Sequence, residues 1–373
     1  MKIGITCYPT YGGSGVVATE LGKALASRGH SIHFISYALP MRLGGYQDNI
    51  VYHEVEMSNY PLFDFPLYTL ALSSKMVEVA QYEKLDLLHC HYAIPHATSA
   101  YLAKQILNGG DIKVITTLHG TDITLVGLEP SFLTIMKFSI EQSDGVTAVS
   151  RFLREKTLTN YGINKEIEVI PNFIDVEKYK RILSPQFCAH YTPHGEKVLV
   201  HTSNFRPVKR VIDVIKIFYE VQKKVSSILI LIGDGPDRSQ CEMLCRELGI
   251  QEKVRFLGKQ MELVPILSTA DLFLMPSQSE SFGLSALEAM ACEVPVISSS
   301  VGGLPELQVH GQTGFIAEIG DIDRMARYAI DLLTNSAKHK LFAKAARLRA
   351  MEFESSKITT QYEQYYERVL AGA

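Results

Sequence analysis

Leu272-Phe273-Leu274-Met275-Pro276-Ser277-Gln278-Ser279-Glu280-Ser281-Phe282-Gly283-Leu284-Ser285-Ala286-Leu287-Glu288-Ala289-Met290-Ala291-Cys292 is an apolar run, a polar loop and an amphipathic stretch, and Pro295-Val296-Ile297-Ser298 follows. The four apolar residues before Pro276 read as a buried strand, and the alanine- and leucine-rich segment after Gly283 as a helix. The whole is one strand–loop–helix–strand crossover, the unit of a parallel sheet. Ligands bind such sheets at the carboxyl ends of the strands, which is where Glu280 falls. Ser281 is expected to cap the helix and Gly283 to allow close backbone approach, so that the amides of Phe282, Gly283 and Leu284 form a cradle fit for phosphate. On a helix beginning near Gly283, Leu284, Glu288 and Ala291 share one face, so Glu288 is a carboxylate on an apolar side and needs a partner. Taken singly, each acid has an ordinary alternative: Glu280 as a solvated loop residue, Glu288 as an ion-paired core residue.

Taken together, Glu280, Ser281-Phe282-Gly283, Glu288, Ala289-Met290-Ala291-Cys292 and Pro295 resemble the E-x7-E signature of retaining glycosyltransferases of the GT-B class, family 4 type. The resemblance implies that Glu280 touches hydroxyls of a donor hexose, that Glu288 holds a nucleotide ribose, and that the cradle takes the diphosphate. It covers essentially the whole chain. It implies an α/β GT-B fold, two Rossmann-like doubly wound parallel-sheet domains facing a central cleft. Glu293 departs from the pattern, since related chains commonly carry glycine after the Ala-Cys pair.

A chain of 373 residues and 41.6 kDa exceeds one ordinary core, so two domains are expected. Hydrophobic residues make up 46% and charged ones 21%, with a formal charge of -3, which leaves no excess positive charge for nucleic acid or an anionic membrane. No apolar run approaches the roughly 18 residues of a spanning helix, and Met1-Lys2-Ile3-Gly4-Ile5 enters a strand directly. A cytoplasmic protein without integral membrane association is expected. The six cysteines are scattered and form no C-x-x-C pair, so they are read as reduced and structural. Nothing in the sequence decides whether the chain forms a homo-oligomer.

The strand and helix count restarts after Ile170-Pro171-Asn172-Phe173-Ile174-Asp175. This divides an acceptor-binding domain, 1–172, from a nucleotide-sugar domain, 173–355. An amphipathic terminal helix, 356–373, patterned by Tyr362, Tyr365 and Tyr366, is expected to cross back to the first domain as GT-B chains do, with a hinge between domains. In the first domain, strand-like runs fall at 2–8, 31–37, 51–57, 85–91, 113–119, 145–150 and 166–172, with helical patterns between several of them. Gly12-Gly13-Ser14-Gly15 is a glycine-rich strand-to-helix turn but not the dinucleotide G-x-G-x-x-G. It reads equally as a packing turn or as a ligand approach, in which Gly13 would meet the donor and Ser14 an acceptor carboxylate.

His89-Cys90-His91-Tyr92-Ala93-Ile94-Pro95-His96 concentrates imidazoles at a strand end, but no neighbouring pattern completes a metal site, and satisfied strand-end histidines are expected. Thr116-Thr117-Leu118-His119-Gly120-Thr121-Asp122 ends the next strand. The resemblance places a histidine here beside the donor sugar and the bond being broken, so His119 is assigned a catalytic role. Lys137, Arg151 and Arg154 are candidates for an anionic acceptor, against ordinary helix-surface solvation. Lys137 is favoured because its place resembles that of a basic residue in related enzymes.

Strand-like runs in the second half fall at 198–201, 228–232, 254–257, 272–275 and 296–299. Ser203-Asn204-Phe205-Arg206-Pro207-Val208-Lys209-Arg210 is a dense cationic group beside a strand end. Family members show G-R-x4-K-G here, which matches Lys209; Asn204 holds the usual arginine position, and the missing charge is assigned to Arg206, whose fork suits phosphate. Segments like Ile232-Gly233-Asp234-Gly235-Pro236 and Val254-Arg255-Phe256-Leu257-Gly258 line the nucleobase pocket in the family, which implicates Asp234 and Gly258. Gly302-Gly303-Leu304-Pro305-Glu306 and Gly311-Gln312-Thr313-Gly314-Phe315 are read as packing turns. Asp321-Ile322-Asp323 is the only D-x-D and reads as a helix cap. Cys188, His190 and His194 look like half a zinc site and are read as a loop.

Within the family, Thr6-Cys7-Tyr8-Pro9, His91-Tyr92-Ala93-Ile94-Pro95-His96-Ala97 and Ser203-Asn204-Phe205-Arg206 point to a member using UDP-N-acetylglucosamine and L-malate, or a similar small hydroxy acid, in bacillithiol synthesis. Tyr92, Thr121, Ser14 and Lys137 would then grip the acceptor. The UDP-sugar is a substrate, so no cofactor is expected and no divalent metal is needed. Three other readings stand beside it: a family member with an inositol phosphate, lipid-linked or cell-wall sugar acceptor, a nicotinamide dehydrogenase, and a non-catalytic nucleotide-sugar sensor.

Overall fold

The computed structural model describes residues 1–10, 12–57, 66–109, 111–124, 126–182, 185 and 191–372. They divide into two compact units, residues 1–172 with 355–373, and residues 173–354. No helix among the described residues is long and apolar enough to cross a membrane.

The first unit holds seven strands: β1 (Lys2–Thr6), β2 (Ser31–Ser36), β3 (Ile50–Glu54), β4 (Leu87–His91), β5 (Lys113–Leu118), β6 (Gly145–Ala148) and β7 (Glu168–Val169). All pair in parallel, in the order β3-β2-β1-β4-β5-β6-β7. The order reverses between β1 and β4, so the loops leaving those strands diverge to opposite faces and open a crevice at their carboxyl ends. Helix Ser355–Ala371 belongs to this unit. Its Tyr365 hydroxyl donates to the Val146 carbonyl at 3.0 Å, Tyr366 lies 2.8 Å from His89 Nδ1, and Glu363 pairs with Arg28 at 2.5 Å.

The second unit repeats the plan with β8 (Lys197–Thr202), β9 (Ser227–Ile232), β10 (Val254–Gly258), β11 (Leu272–Met275), β12 (Val296–Ser299) and β13 (Gly314–Ala317), ordered β10-β9-β8-β11-β12-β13 and all parallel. Its central strands are continuous apolar runs because both faces are covered; every residue of β9 is buried. Leu199, Phe218, Leu229 and Leu274 share one core cluster with Met325, Ala329 and Leu332 of helix Ile322–Thr334. Asp321 caps that helix, its carboxylate accepting from the Arg324 amide at 3.1 Å, as the D-x-D reading expects.

Two expectations change. Gly314-Phe315 is no packing turn but the start of β13, an edge strand too short and glycine-led to show alternation. A Cβ on Gly314 would meet the Val296 carbonyl oxygen at 1.8 Å, so only glycine lets this strand pair with β12. Ser281 does not cap helix Leu284–Ala291; Gly283 holds the capping position at φ +98°, where a side chain would also strike Leu304 at 2.5 Å.

The departure at Glu293 also gains a physical meaning. It sits just past this helix at φ +62°, the left-handed geometry that glycine adopts without strain. Glu293→Gly is expected to raise stability by about 0.5–1 kcal/mol, seen as a higher denaturant midpoint at unchanged slope.

Candidate functional site

In the second unit the loops leaving β8 and β11 meet. Lys209 Nζ lies 2.6 Å from Glu280 Oε1, the Ser277 hydroxyl donates to the same oxygen at 2.9 Å, and the Gln278 amide donates to the Val208 carbonyl at 2.8 Å. Glu280 is 9% exposed and Lys209 keeps 24% of its side chain in solvent, so a substrate can reach the pair from one side. The structure thus joins two residues assigned separately to sugar and phosphate. Gly302 and Gly303, read as packing turns, support the acid directly: the Gly303 amide donates to the Glu280 carbonyl at 2.9 Å, and a Cβ on Gly302 would lie 1.7 Å from that oxygen. Gly302 is also at φ +59°. Gly302→Ala is therefore expected to cost about 2–4 kcal/mol of stability and to displace Glu280, measurable as a lower denaturant midpoint with lost turnover.

The first intrahelical bond after Gly283 runs from the Leu287 amide to the Gly283 carbonyl at 3.0 Å, which leaves the amides of Leu284, Ser285 and Ala286 without helical acceptors. The free amides therefore run two residues beyond the Phe282–Leu284 set, to Ser285 and Ala286. Phe282 contributes backbone only, because its ring is buried edge-on against Phe353 with centroids 5.5 Å apart. Glu288, 5% exposed, accepts from the Tyr179 hydroxyl at 2.9 Å. Arg347 holds Tyr179 in place, donating to its carbonyl at 2.6 Å and to that of Ala291 at 2.8 Å. Tyr179 and Arg347 carried no sequence signal, since their relation to Glu288 is made across 109 and 59 positions by the fold (288 − 179 and 347 − 288).

The loop bearing Asn204 and Arg206 interlocks with the Gly233–Gly235 turn. Added side chains at Gly233 and Gly235 would meet the carbonyl oxygens of Ser203 and Asn204 at 1.8 and 2.0 Å. Asn204 Oδ1 is buried without a hydrogen-bond partner among the described residues. Arg206 is exposed. Asp234 is exposed beside Arg238 at 3.8 Å, and the Gly258 carbonyl accepts from the Gly233 amide at 2.8 Å. His201, also without a sequence signal, lies buried beneath this loop; its ring nitrogens sit 2.8 Å from the Leu274 carbonyl and 2.8 Å from the Ser203 hydroxyl.

In the first unit, the ends of β4 and β5 gather an aromatic cluster. His119 stacks on His91, with Nε2 2.8 Å from His91 Nδ1, and its centroid is 5.5 Å from that of Tyr92. Tyr92 sits at φ +96°, strained geometry that the sequence did not announce. Buried Asp122 ties the two strand ends together, accepting from the Gly120 amide at 2.9 Å and the Ala93 amide at 3.3 Å. Thr121 is exposed at the start of the short helix Thr121–Thr124. Gly13 and Ser14 begin helix Gly13–Ser27, where Gly15 is the packing glycine: its Cβ would meet the Tyr8 carbonyl oxygen at 2.5 Å. Lys137 donates to the Gly162 carbonyl at 3.1 Å and lies 3.7 Å from Glu141, contacts it must leave to hold an acceptor. Cys188 and His190 lie outside the described residues.

Two of the strand-end histidines are satisfied, as expected: His89 bonds Thr117 and Tyr366, and His96 lies 2.5 Å from the His91 carbonyl; His91 departs from the expectation, its Nδ1 meeting His119 while its buried Nε2 has no hydrogen-bond partner among the described residues. Burial pushes His89 and His119 down to about 3, His96 and His201 to about 4, and His91 well below the usual imidazole range. All five are neutral near pH 7. The unfolded chain takes up these protons below about pH 6.5 and the folded chain does not until far lower, so stability is complete above that pH and is lost as pH falls towards 3–4. Each contributes up to about 1.4 kcal/mol per pH unit in that window. Burial raises Asp122 to about 6, a single contribution of opposite sign. Melting temperature is therefore expected to fall steadily from pH 7 to pH 5, and less steeply in His89→Gln.

A family model described as Glycosyl transferases group 1 matches residues 186–349, and one described as Glycosyltransferase Family 4 matches residues 11–178. The chain is 50% identical to N-acetyl-alpha-D-glucosaminyl L-malate synthase of Bacillus anthracis over 99% of its own length and 97% of that protein's. This chain is a family 4 glycosyltransferase. The glycosyltransferase is also 27% identical, over 75% of its length and 76% of the relative's, to a GDP-mannose-dependent monoacylated phosphatidylinositol monomannoside mannosyltransferase of Corynebacterium glutamicum. Among solved structures, sucrose-phosphate synthase from Thermosynechococcus elongatus matches with a TM-score of 0.82 at 21% identity, covering all of both chains. Anabaena HepE in complex with UDP and glucose matches with a TM-score of 0.81 at 20% identity, covering 98% of the glycosyltransferase and 99% of HepE. At these identities the structures establish the GT-B fold.

Five of the six cysteines are described; all five are free and buried. Burial raises Cys7, Cys241 and Cys292 to about 12, so they are inert thiols.

Proposed function

We propose that this glycosyltransferase moves N-acetylglucosamine from UDP-N-acetylglucosamine to the hydroxyl of L-malate, with retention at the anomeric carbon, as a cytoplasmic enzyme of bacillithiol synthesis. The observation that carries the choice of substrates is the 50% identity, along 99% of the chain, to a protein named for that product. The donor half of the reading is supported by the geometry of the second unit. There a buried pair of acids eight positions apart flanks free helix amides, with a lysine in contact with the first acid.

In this reading Glu288 and Tyr179 hold the ribose, Asn204, Asp234 and Gly258 serve the nucleotide, and Ser281 to Ser285 with Gly13, Arg206 and Lys209 receive the diphosphate. The bond from the anomeric carbon to the phosphate oxygen breaks, and the acceptor oxygen bonds the same face. The departing phosphate oxygen takes the hydroxyl proton, so no protein carboxylate need attack. Charge accumulates on the diphosphate in the transition state, where fixed amides and cations act most strongly. The same groups supply the charge that a metal would, and the proposal is a metal-independent transfer. Glu280 positions the hexose, His119 lies at the reacting centre, and Ser14, Tyr92, Thr121 and Lys137 grip the malate.

The test is an incubation of the purified chain with UDP-N-acetylglucosamine and a panel of L-malate, D-malate, L-lactate, citrate and inositol phosphate, with products weighed by mass spectrometry. UDP release with a product of the mass of N-acetylglucosaminyl malate is expected. Transfer to another panel member, or donor binding without any product, would overturn it. Arg206→Ala is a further arm, and unchanged donor affinity and turnover would remove Arg206 from the phosphate site.

A further inference from the structure

Two histidines of the first unit lie away from the ends of β4 and β5. His33 is on β2 and His53 on the edge strand β3, two strands and three strands removed from β4 in the sheet order. The parallel register pairs His33 with Val51 and Ile35 with His53, so the imidazoles occupy adjacent positions on one face of the sheet. Their rings stack with centroids 5.3 Å apart, and His33 Nδ1 lies 3.0 Å from His53 Nε2. Helix Tyr68–Glu83 packs on this face and ends there, bringing a Glu83 carboxylate oxygen within 4.8 Å of a ring nitrogen of each histidine. We propose that His33 Nδ1, His53 Nε2 and a Glu83 carboxylate oxygen form a site for one divalent transition metal, with zinc the ion they suit best, fastening the edge strand to the helix.

The distances fit the chemistry. Two nitrogens each about 2.0–2.1 Å from a tetrahedral zinc ion stand roughly 3.3 Å apart, so the imidazoles need separate by only a few tenths of an ångström. Glu83 is half-buried at a helix end, where one rotamer change closes the remaining gap. Two imidazoles and one carboxylate are a zinc ligand set that leaves a fourth position for water. The supporting groups also agree. Ser31 Oγ lies 3.0 Å from His33 Nε2, and by accepting that N–H it leaves the Nδ1 lone pair on the side of His53. His53, which donates to that lone pair in the ion-free protein, carries its proton on Nδ1 once Nε2 takes the metal. The carboxyl end of the helix favours a cation. Lys2 and Lys75 oppose one, but Lys2 is held by the Glu83 carbonyl at 2.8 Å and Lys75 by Glu78 at 2.8 Å.

The test uses the full chain, stripped with a chelator, desalted and titrated with zinc against a chromophoric competitor. One equivalent bound at micromolar affinity or tighter is expected, with a rise in melting temperature. His53→Gln and Glu83→Gln should each weaken binding at least tenfold, and Ser31→Ala by about tenfold through the orientation of His33. Both ligand variants change half-buried side chains, and Glu83→Gln at the helix end keeps the test open should His53→Gln fold poorly. Cobalt in place of zinc should give tetrahedral d–d bands without a thiolate charge-transfer band. Failure of the wild type to bind one equivalent, affinity unchanged in both ligand variants, or a thiolate band placing the metal on cysteine would each overturn the proposal.

Discussion

Lys209→Ala is expected to lower kcat/KM for the sugar nucleotide by about 10²–10³, the loss typical of removing one donor from a developing anion, roughly 2.7–4 kcal/mol. Two effects combine. The diphosphate would lose one of the two cations proposed for it, and Glu280, buried and 2.6 Å from the missing ammonium, keeps only the Ser277 hydroxyl among the side-chain donors described above. The second effect is separable. In the double variant with Glu280→Gln no carboxylate is left uncompensated, so the two losses should combine to less than their sum. Initial rates and UDP affinity by calorimetry measure both. If Lys209→Ala left UDP affinity and kcat/KM unchanged, the second unit would not bind its donor as proposed.

His119→Ala should lower kcat by about 10²-fold while leaving UDP affinity near its original value, because the ring, stacked on His91 and beside Tyr92, is proposed to serve the reacting centre and is given no part in holding the nucleotide. In this role the ring would act as a neutral hydrogen-bonding group. Burial holds it down to about 3, so the pH–rate profile should show no inflection from His119 between pH 5 and 8. His119→Asn, which keeps an N–H donor of similar reach, should recover part of the lost rate. A kcat equal to that of the wild type in His119→Ala would remove the residue from the chemistry.

Much of this architecture was legible before any coordinates. Leu272–Met275 and Ser227–Ile232 are so apolar that they can only be buried strands, and strands alternating with helical patterns demand parallel sheets. β13 escaped because its four residues follow glycine-rich turns and carry no period of their own. The cap of helix Leu284–Ala291 was misplaced for a related reason: Ser281 has the preferred side chain for capping, but Leu304, twenty-one positions beyond Gly283 (304 − 283), closes the space that any side chain there would need.

Local composition and spacing alone therefore determined the class of fold, the doubled Rossmann-like plan and the loop and helix that carry the two acids. Tertiary structure decided which groups stand together: Lys209 with Glu280, Tyr179 with Glu288, His91 with His119, Gly302 beneath the Glu280 carbonyl. The reason is geometric. In a doubly wound sheet β1 lies beside β4, and β8 beside β11, so residues that share a site are separated by whole crossovers, and periodicity within one crossover carries no record of its neighbour.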